Sequence, residues 1–181
     1  MKRLLLLLAF AGLFVTPSIS QTEKGWRSVG GTGMIRIGTE TPAFNFRLSP
    51  ELYWFIAEDF ALGLDFGGDI NTSKPNDTTS YSDVGAYVAP GLRYYFRDVE
   101  KKWRPYAFLN AGLETYAISS KTGALKTKTN GTGFLGYAGA GLAWFFNKNA
   151  AFDMRLHAID YTRNDVRFNP AFSIGIQAFF D

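Results

Sequence analysis

The sequence predicts an all-β chain: an eight-stranded, antiparallel, up-and-down transmembrane β-barrel preceded by a cleavable signal peptide. Three observations predict it. Beyond Gln21, apolar and polar residues alternate with period two almost throughout, and no helical period is sustained. Charged residues make up 19% of the chain and aromatics 17%, low and high respectively for a soluble domain. The third is lysine placement. Lys24, Lys74, Lys101, Lys102, Lys121, Lys126, Lys128 and Lys148 all fall in the N-terminal arm, turns or loops of the predicted layout, and none in a predicted strand.

The first element is the export segment. Lys2-Arg3 is a positive start, Leu4 to Val15 is a 12-residue run of apolar residues and Gly, and Pro17 breaks it. Ser18 and Ser20 then supply the small residues that a cut before Gln21 requires. A helix of that length spans about 18 Å, short of a ~30 Å hydrocarbon core, so the run reads as a signal rather than an anchor. The organisation is therefore 1–20 signal peptide and 21–181 barrel domain. Because the chain stops at its last predicted strand, no separate periplasmic domain is expected.

Eight strands are expected at 26–38, 43–56, 60–71, 81–97, 104–118, 132–146, 151–162 and 168–180. The second is clearest, with Phe44, Phe46, Leu48, Leu52 and Trp54 on one face and Asn45, Arg47, Ser49, Glu51 and Tyr53 on the other. The third sets Leu62, Leu64, Phe66 and Ile70 against Asp65 and Asp69, and the fourth sets Val84, Val88 and Leu92 against Asp83, Tyr87 and Arg93. Phe172, Ile174 and Ile176 oppose Ser173, Gly175 and Gln177 in the eighth. Ala57–Asp59, Asp98–Trp103 and Asn147–Asn149 read as short turns, whereas 72–80 and 119–131 read as longer loops. The links 39–42 and 163–167 fall on the long-loop side. Short turns at one end and looser loops at the other suit a barrel in an outer membrane.

Alternation alone fits either a soluble lipocalin-like barrel with an apolar inside or a membrane barrel with an apolar outside. Lysine placement favours the second, because a lipid-facing Lys costs about 2–4 kcal/mol at mid-bilayer. So does the polar face, where Arg36, Arg47, Arg93, Arg97, Arg104 and Arg155 balance Glu51, Asp65, Asp69, Asp83, Glu114 and Asp153. An enclosed interior requires such pairing, and His157 shares its face with Asp153 and Arg155. Aromatics also crowd the short-turn end. Trp54, Tyr94, Phe96, Trp103, Trp144, Phe146 and Phe180 are expected to form an interfacial girdle, with Phe55, Tyr95, Tyr106, Phe145 and Phe179 among their neighbours.

With these residues in view, the mature chain resembles the small outer-membrane β-barrel domain family, the eight-stranded porin-like barrels of OmpA, OmpX and OmpW type. The run Ser173 to Phe180, with Gly175, Ala178 and the closing aromatic, is similar to the family's C-terminal assembly signal. Ala178 is smaller than the family's usual residue there, and Asp181 follows the aromatic. The resemblance implies export to the cell outer membrane, recognition by the barrel assembly machinery, and contact with outer-membrane lipid and lipopolysaccharide.

Composition excludes several chemistries. No Cys means no disulfide and no thiolate site, and one His rules out a poly-histidine zinc site. The mature chain carries 17 Lys+Arg against 16 acids, so nothing suggests nucleic acid as a partner. No cofactor or metal is expected. His157 is the only imidazole, and Ile159 stands where a lipid A deacylase pattern of His-x-Ser requires Ser, so no enzyme is expected. Eight strands leave an interior just wide enough for side chains. The expected role is a structural or surface-interaction barrel with a charge-paired interior, presenting 72–80 and 119–131. Lys121, Lys126 and Lys128 lie in the second of these with no acid among them, available to anionic lipid headgroups. The alternative is a narrow conduit for small or apolar solutes, using space left by Gly131, Gly133, Gly136, Gly139 and Gly141.

Overall fold

The computed structural model describes residues 22–37, 43–96, 102–161 and 169–181. The predicted signal segment, Arg97 and the links at 39–42 and 163–167 lie outside the described residues. Eight strands follow in chain order: β1 (Arg27–Ile37), β2 (Ala43–Ala57), β3 (Phe60–Asn76), β4 (Thr79–Tyr95), β5 (Trp103–Thr122), β6 (Leu125–Asn147), β7 (Ala150–Tyr161) and β8 (Asn169–Phe180). Each pairs antiparallel with its sequence neighbours, and β1 closes the ring on β8 from Arg27↔Phe180 to Gly33↔Ile174. Closure removes the free edges an open sheet would expose.

The pleat decides which residues enclose the interior. On β2, Arg47, Ser49, Glu51, Tyr53 and Phe55 are buried, while Phe44, Leu48, Trp54 and Ile56 are exposed. The other strands follow the same division. Val88, Leu92, Leu109, Leu113, Leu156, Ile174 and Ile176 face out, and Asp65, Arg93, Asn110, Asp153 and Arg155 face in. From Phe44 to Ile56 the outward apolar run of β2 covers about 30 Å of height, taking ~3.3 Å per residue and a tilt near ~40°. That height matches a hydrocarbon core.

Two expected loops are strands instead. The β3–β4 connection shrinks to Asp77-Thr78 and the β5–β6 connection to Gly123-Ala124. Asn76 Oδ1 accepts from Thr78 N–H at 3.1 Å and from Thr78 Oγ1 at 3.0 Å, which fixes the first turn. Gly123 takes φ +60° at the second, a conformation glycine adopts without strain. The Thr-rich flanks favour extended backbone. Lys74, Lys121, Lys126 and Lys128 therefore stand in strands, contrary to the expectation that no mature Lys does. They lie where β3 to β6 outrun the rest of the barrel. Among the described residues β7 pairs with β6 only from Leu135 onward, and 125–134 continue β6 past that last described pair. Gly123 N–H donates to Thr78 C=O at 2.8 Å, tying the two hairpin tips into one four-stranded sheet.

Candidate functional site

Among the described residues the interior is a stack of side-chain layers. Its lowest layer begins with Thr22, the first of the described residues. Thr22 is fully buried, and its hydroxyl donates to Asp59 Oδ1 at 2.5 Å. Arg104 Nη2 donates to the same oxygen, also at 2.5 Å. Asp59 sits in the β2–β3 turn at φ 63°. Around this pair Phe55, Tyr95, Tyr106, Phe145 and Phe179 form an aromatic floor, with centroids 5.0 Å apart for Tyr95–Tyr106 and 4.9 Å for Phe145–Phe179. These five were expected among the girdle's neighbours at the rim. The pleat turns them inward because each shares parity with an inward polar residue of its own strand.

The middle layer carries the densest charge. Glu51 accepts from Arg93 Nη2 at 3.0 Å through one oxygen and from Arg155 Nη2 at 2.6 Å through the other. Arg155 also reaches Asp153 Oδ2 at 2.5 Å, and that oxygen accepts from Gln177 Nε2 at 2.6 Å. Tyr106 OH donates to Asp153 Oδ1 at 2.5 Å, and Arg93 lies over the Tyr53 ring at 4.1 Å. Two guanidinium groups and two carboxylates thus cancel within one enclosed cluster. Cancellation and dense hydrogen bonding make the buried charge tolerable, with Arg93 Nε the cluster's one buried donor lacking a hydrogen bond among the described residues.

Above it, Asp65 accepts from Tyr87 OH at 3.2 Å and from Tyr137 OH. Asp65 stands directly opposite Glu51 in register, a like-charge pair that the tyrosines and arginines separate electrically. Arg47 lies over the Tyr87 ring at 4.3 Å, and Tyr87 OH, its proton turned to Asp65, accepts from the Ser49 hydroxyl at 2.6 Å. At the mouth, Asn71 Nδ2 donates to Asp69 at 2.8 Å and to Asp83 at 3.4 Å. Glu114 is buried on β5. His157 packs between the rings of Phe108 and Tyr137, with centroids 6.0 and 6.1 Å away.

The residues expected to form one charge network therefore divide by height. Glu51, Arg93, Asp153 and Arg155 meet; Arg104 pairs below them with Asp59; Arg47 and Asp65 join the tyrosine layer; Asp69 and Asp83 lie at the mouth. The backbone of Arg36 lies on β1, and its side chain is outside the description. Asp59 escaped the sequence reading because an acid in a polar turn gives no periodic signal. The buried tyrosines were findable, since Tyr95 has the parity of Arg93 and Tyr106 that of Arg104. The enclosed cavity bordered by Arg47, Asp65, Tyr137, Arg155 and His157 measures about 10 Å³, room for about one water.

At three of the five glycines of the conduit reading, Gly131, Gly139 and Gly141, the space is already taken. A Cβ at Gly141 would stand 2.2 Å from the Tyr106 ring, one at Gly131 2.6 Å from Tyr116, and one at Gly139 2.7 Å from His157 Cβ. The volume beside Gly131 and Gly141 is occupied by tyrosine rings.

On the outside, the lower rim presents Trp54, Tyr94, Phe96, Trp103 and Phe180 as exposed aromatics, with Trp144 and Phe146 half-buried beside them. Trp103 and Trp144 stack at 5.5 Å and 16°, and Tyr94 meets Phe96 edge-on at 5.5 Å. On β8, Ser173 is buried and Gly175 half-buried, whereas Ala178 and Phe180 face out.

No family model matches the chain, and no curated protein does. Solved structures do match. The N-terminal β-barrel domain of OprF from Pseudomonas aeruginosa aligns at TM-score 0.56 and 18% identity, over 87% of this chain and 98% of that one. Ail, the attachment invasion locus protein of Yersinia pestis, aligns at 0.58 and 14%, over 87% and 99%. The outer membrane protein OprG of Pseudomonas aeruginosa aligns at 0.57 and 14%, over 90% and 99%. The fold is that of the small eight-stranded outer-membrane β-barrels.

Proposed function

We propose that this chain is an integral outer-membrane barrel whose interior is structural and whose working surface is the sheet that outruns the ring. One observation carries the reading. Among the described residues the interior holds three stacked polar and aromatic layers bordering a cavity of about 10 Å³, while β3 to β6 continue past the last described β6–β7 pair at Leu135↔Tyr161. A filled lumen has no room for a solute larger than water. The outward apolar band and the aromatic rim then meet lipid, with Trp54, Trp103 and Trp144 at one interface. The β8 run ending in Phe180 serves as the segment recognised during assembly. His157 packs between the rings of Phe108 and Tyr137 and is assigned a packing role.

Reconstitution tests this. The folded chain should migrate differently on a denaturing gel before and after boiling, and planar bilayers containing it should show no stepwise conductance. Reproducible single-channel steps would revive the narrow conduit. A monomer soluble without detergent would remove the membrane reading.

A further inference from the structure

The sheet formed by β3 to β6 has two chemically different faces. On its outward face stand Lys121 on β5, Lys126 and Lys128 on β6, and Lys74, which shares an open groove of about 640 Å³ with Lys121. The acids of this region, Asp69, Asp83 and Glu114, have the opposite, inward parity. Among the described residues the one acid at the groove is Asp77, in the hairpin turn. Lys121 and Lys126 stand directly opposite each other in the β5–β6 register. Like charges in that position repel, and an anion held between them relieves the repulsion.

Below the lysines the same face grades into apolar wall. Descending β5 it reads Lys121, Ser119, Ala117, Thr115, Leu113; descending β6 it reads Lys126, Lys128, Asn130, Thr132, Phe134. Val88, Leu113 and Phe134 then border an open groove of about 780 Å³ on the lipid side, where Phe134 is 68% and Leu113 56% exposed. Cation, then hydroxyl, then apolar is the order of groups that complements an amphiphile with an anionic head.

Resting on the membrane-barrel reading above, we propose that this face holds a lipid of the surrounding leaflet, its phosphates on the lysines and its acyl chains in the Val88–Leu113–Phe134 groove. Spacing selects the headgroup. Adjacent strands lie about 4.8 Å apart, so Lys74 on β3 and Lys126 on β6 are separated by about 14 Å, and Lys126 from Lys128 by about 7 Å. One phosphate cannot reach all four ammonium groups, whereas a headgroup with two separated phosphates can.

The test uses the full mature chain folded in detergent, with the boiling-dependent gel shift checking that each variant has folded. Native mass spectrometry reads retention of bisphosphorylated lipid A, of the same lipid dephosphorylated, and of its deacylated phosphosugar. Wild type should retain the bisphosphorylated lipid at least about tenfold better than the dephosphorylated one. The triple variant K121S/K126S/K128S should erase that preference. Phe134→Ala should weaken lipid retention and leave the phosphosugar unaffected. Retention indifferent to the phosphates overturns the proposal. So does heparin or the phosphosugar binding as tightly as the lipid, which assigns the face to a soluble polyanion. If wild type shows no gel shift, the membrane-barrel reading itself fails, and the proposal falls with it.

Discussion

At the scale of single residues, the interior is assembled from glycines and the rings laid over them. Gly63 lies under Tyr53, Gly131 under Tyr116 and Gly141 under Tyr106, each with no room for a Cβ. Gly136 on the same strand as Gly141 has nothing nearer than 4.0 Å. Gly141→Ala should therefore cost about 1–3 kcal/mol by displacing the ring, while Gly136→Ala should stay within about 0.5 kcal/mol. Urea unfolding midpoints of the two variants in one detergent check the contrast. Glu51 is the second sensitive point, because both its oxygens are committed to arginines. Glu51→Gln leaves Arg93 without its carboxylate and should lower stability by about 3–5 kcal/mol. The double variant with Arg93→Gln should lose less than the sum of the two singles, since each removes the other's partner. Additive losses would mean that the pair is not coupled.

At the scale of elements, the aromatic rim and the strand faces make separate predictions. Trp54, Trp103 and Trp144 share one end of the barrel and face outward. Lipids brominated near the headgroup should quench tryptophan emission more than lipids brominated at the chain ends, and the reverse order would displace the girdle from the interface. Legibility from sequence varied along the chain for a physical reason. β2 could be read residue by residue because one face is uniformly polar and the other apolar. Tyr94-Tyr95-Phe96 is aromatic on both faces, yet counting from Arg93 places Tyr94 and Phe96 outward, where they stand exposed, and Tyr95 inward, where it is buried. The extended ends of β5 and β6 are polar on both faces, so Ser119 to Gly131 read as loop although backbone pairing holds it straight. Asp59 was invisible because its burial depends on Arg104 and Thr22, distant in sequence.

At the scale of the whole molecule, the barrel is graded along its axis. Its base is aromatic inside and out, its middle is neutralised charge under an apolar wall, and its extended end carries lysines outside and carboxylates within the mouth. The ring is joined by pairing between Arg27–Gly33 and Ile174–Phe180, the two extremes of the described chain. Every other strand can find its partner within one hairpin. This one cannot pair until the last strand has been delivered, and contacts of such sequence separation form late. Through that interval β1 offers unpaired N–H and C=O groups to any neighbouring chain. The hazard of self-association is therefore one of timing: it belongs to the nascent molecule in transit and disappears from that seam when the circle shuts.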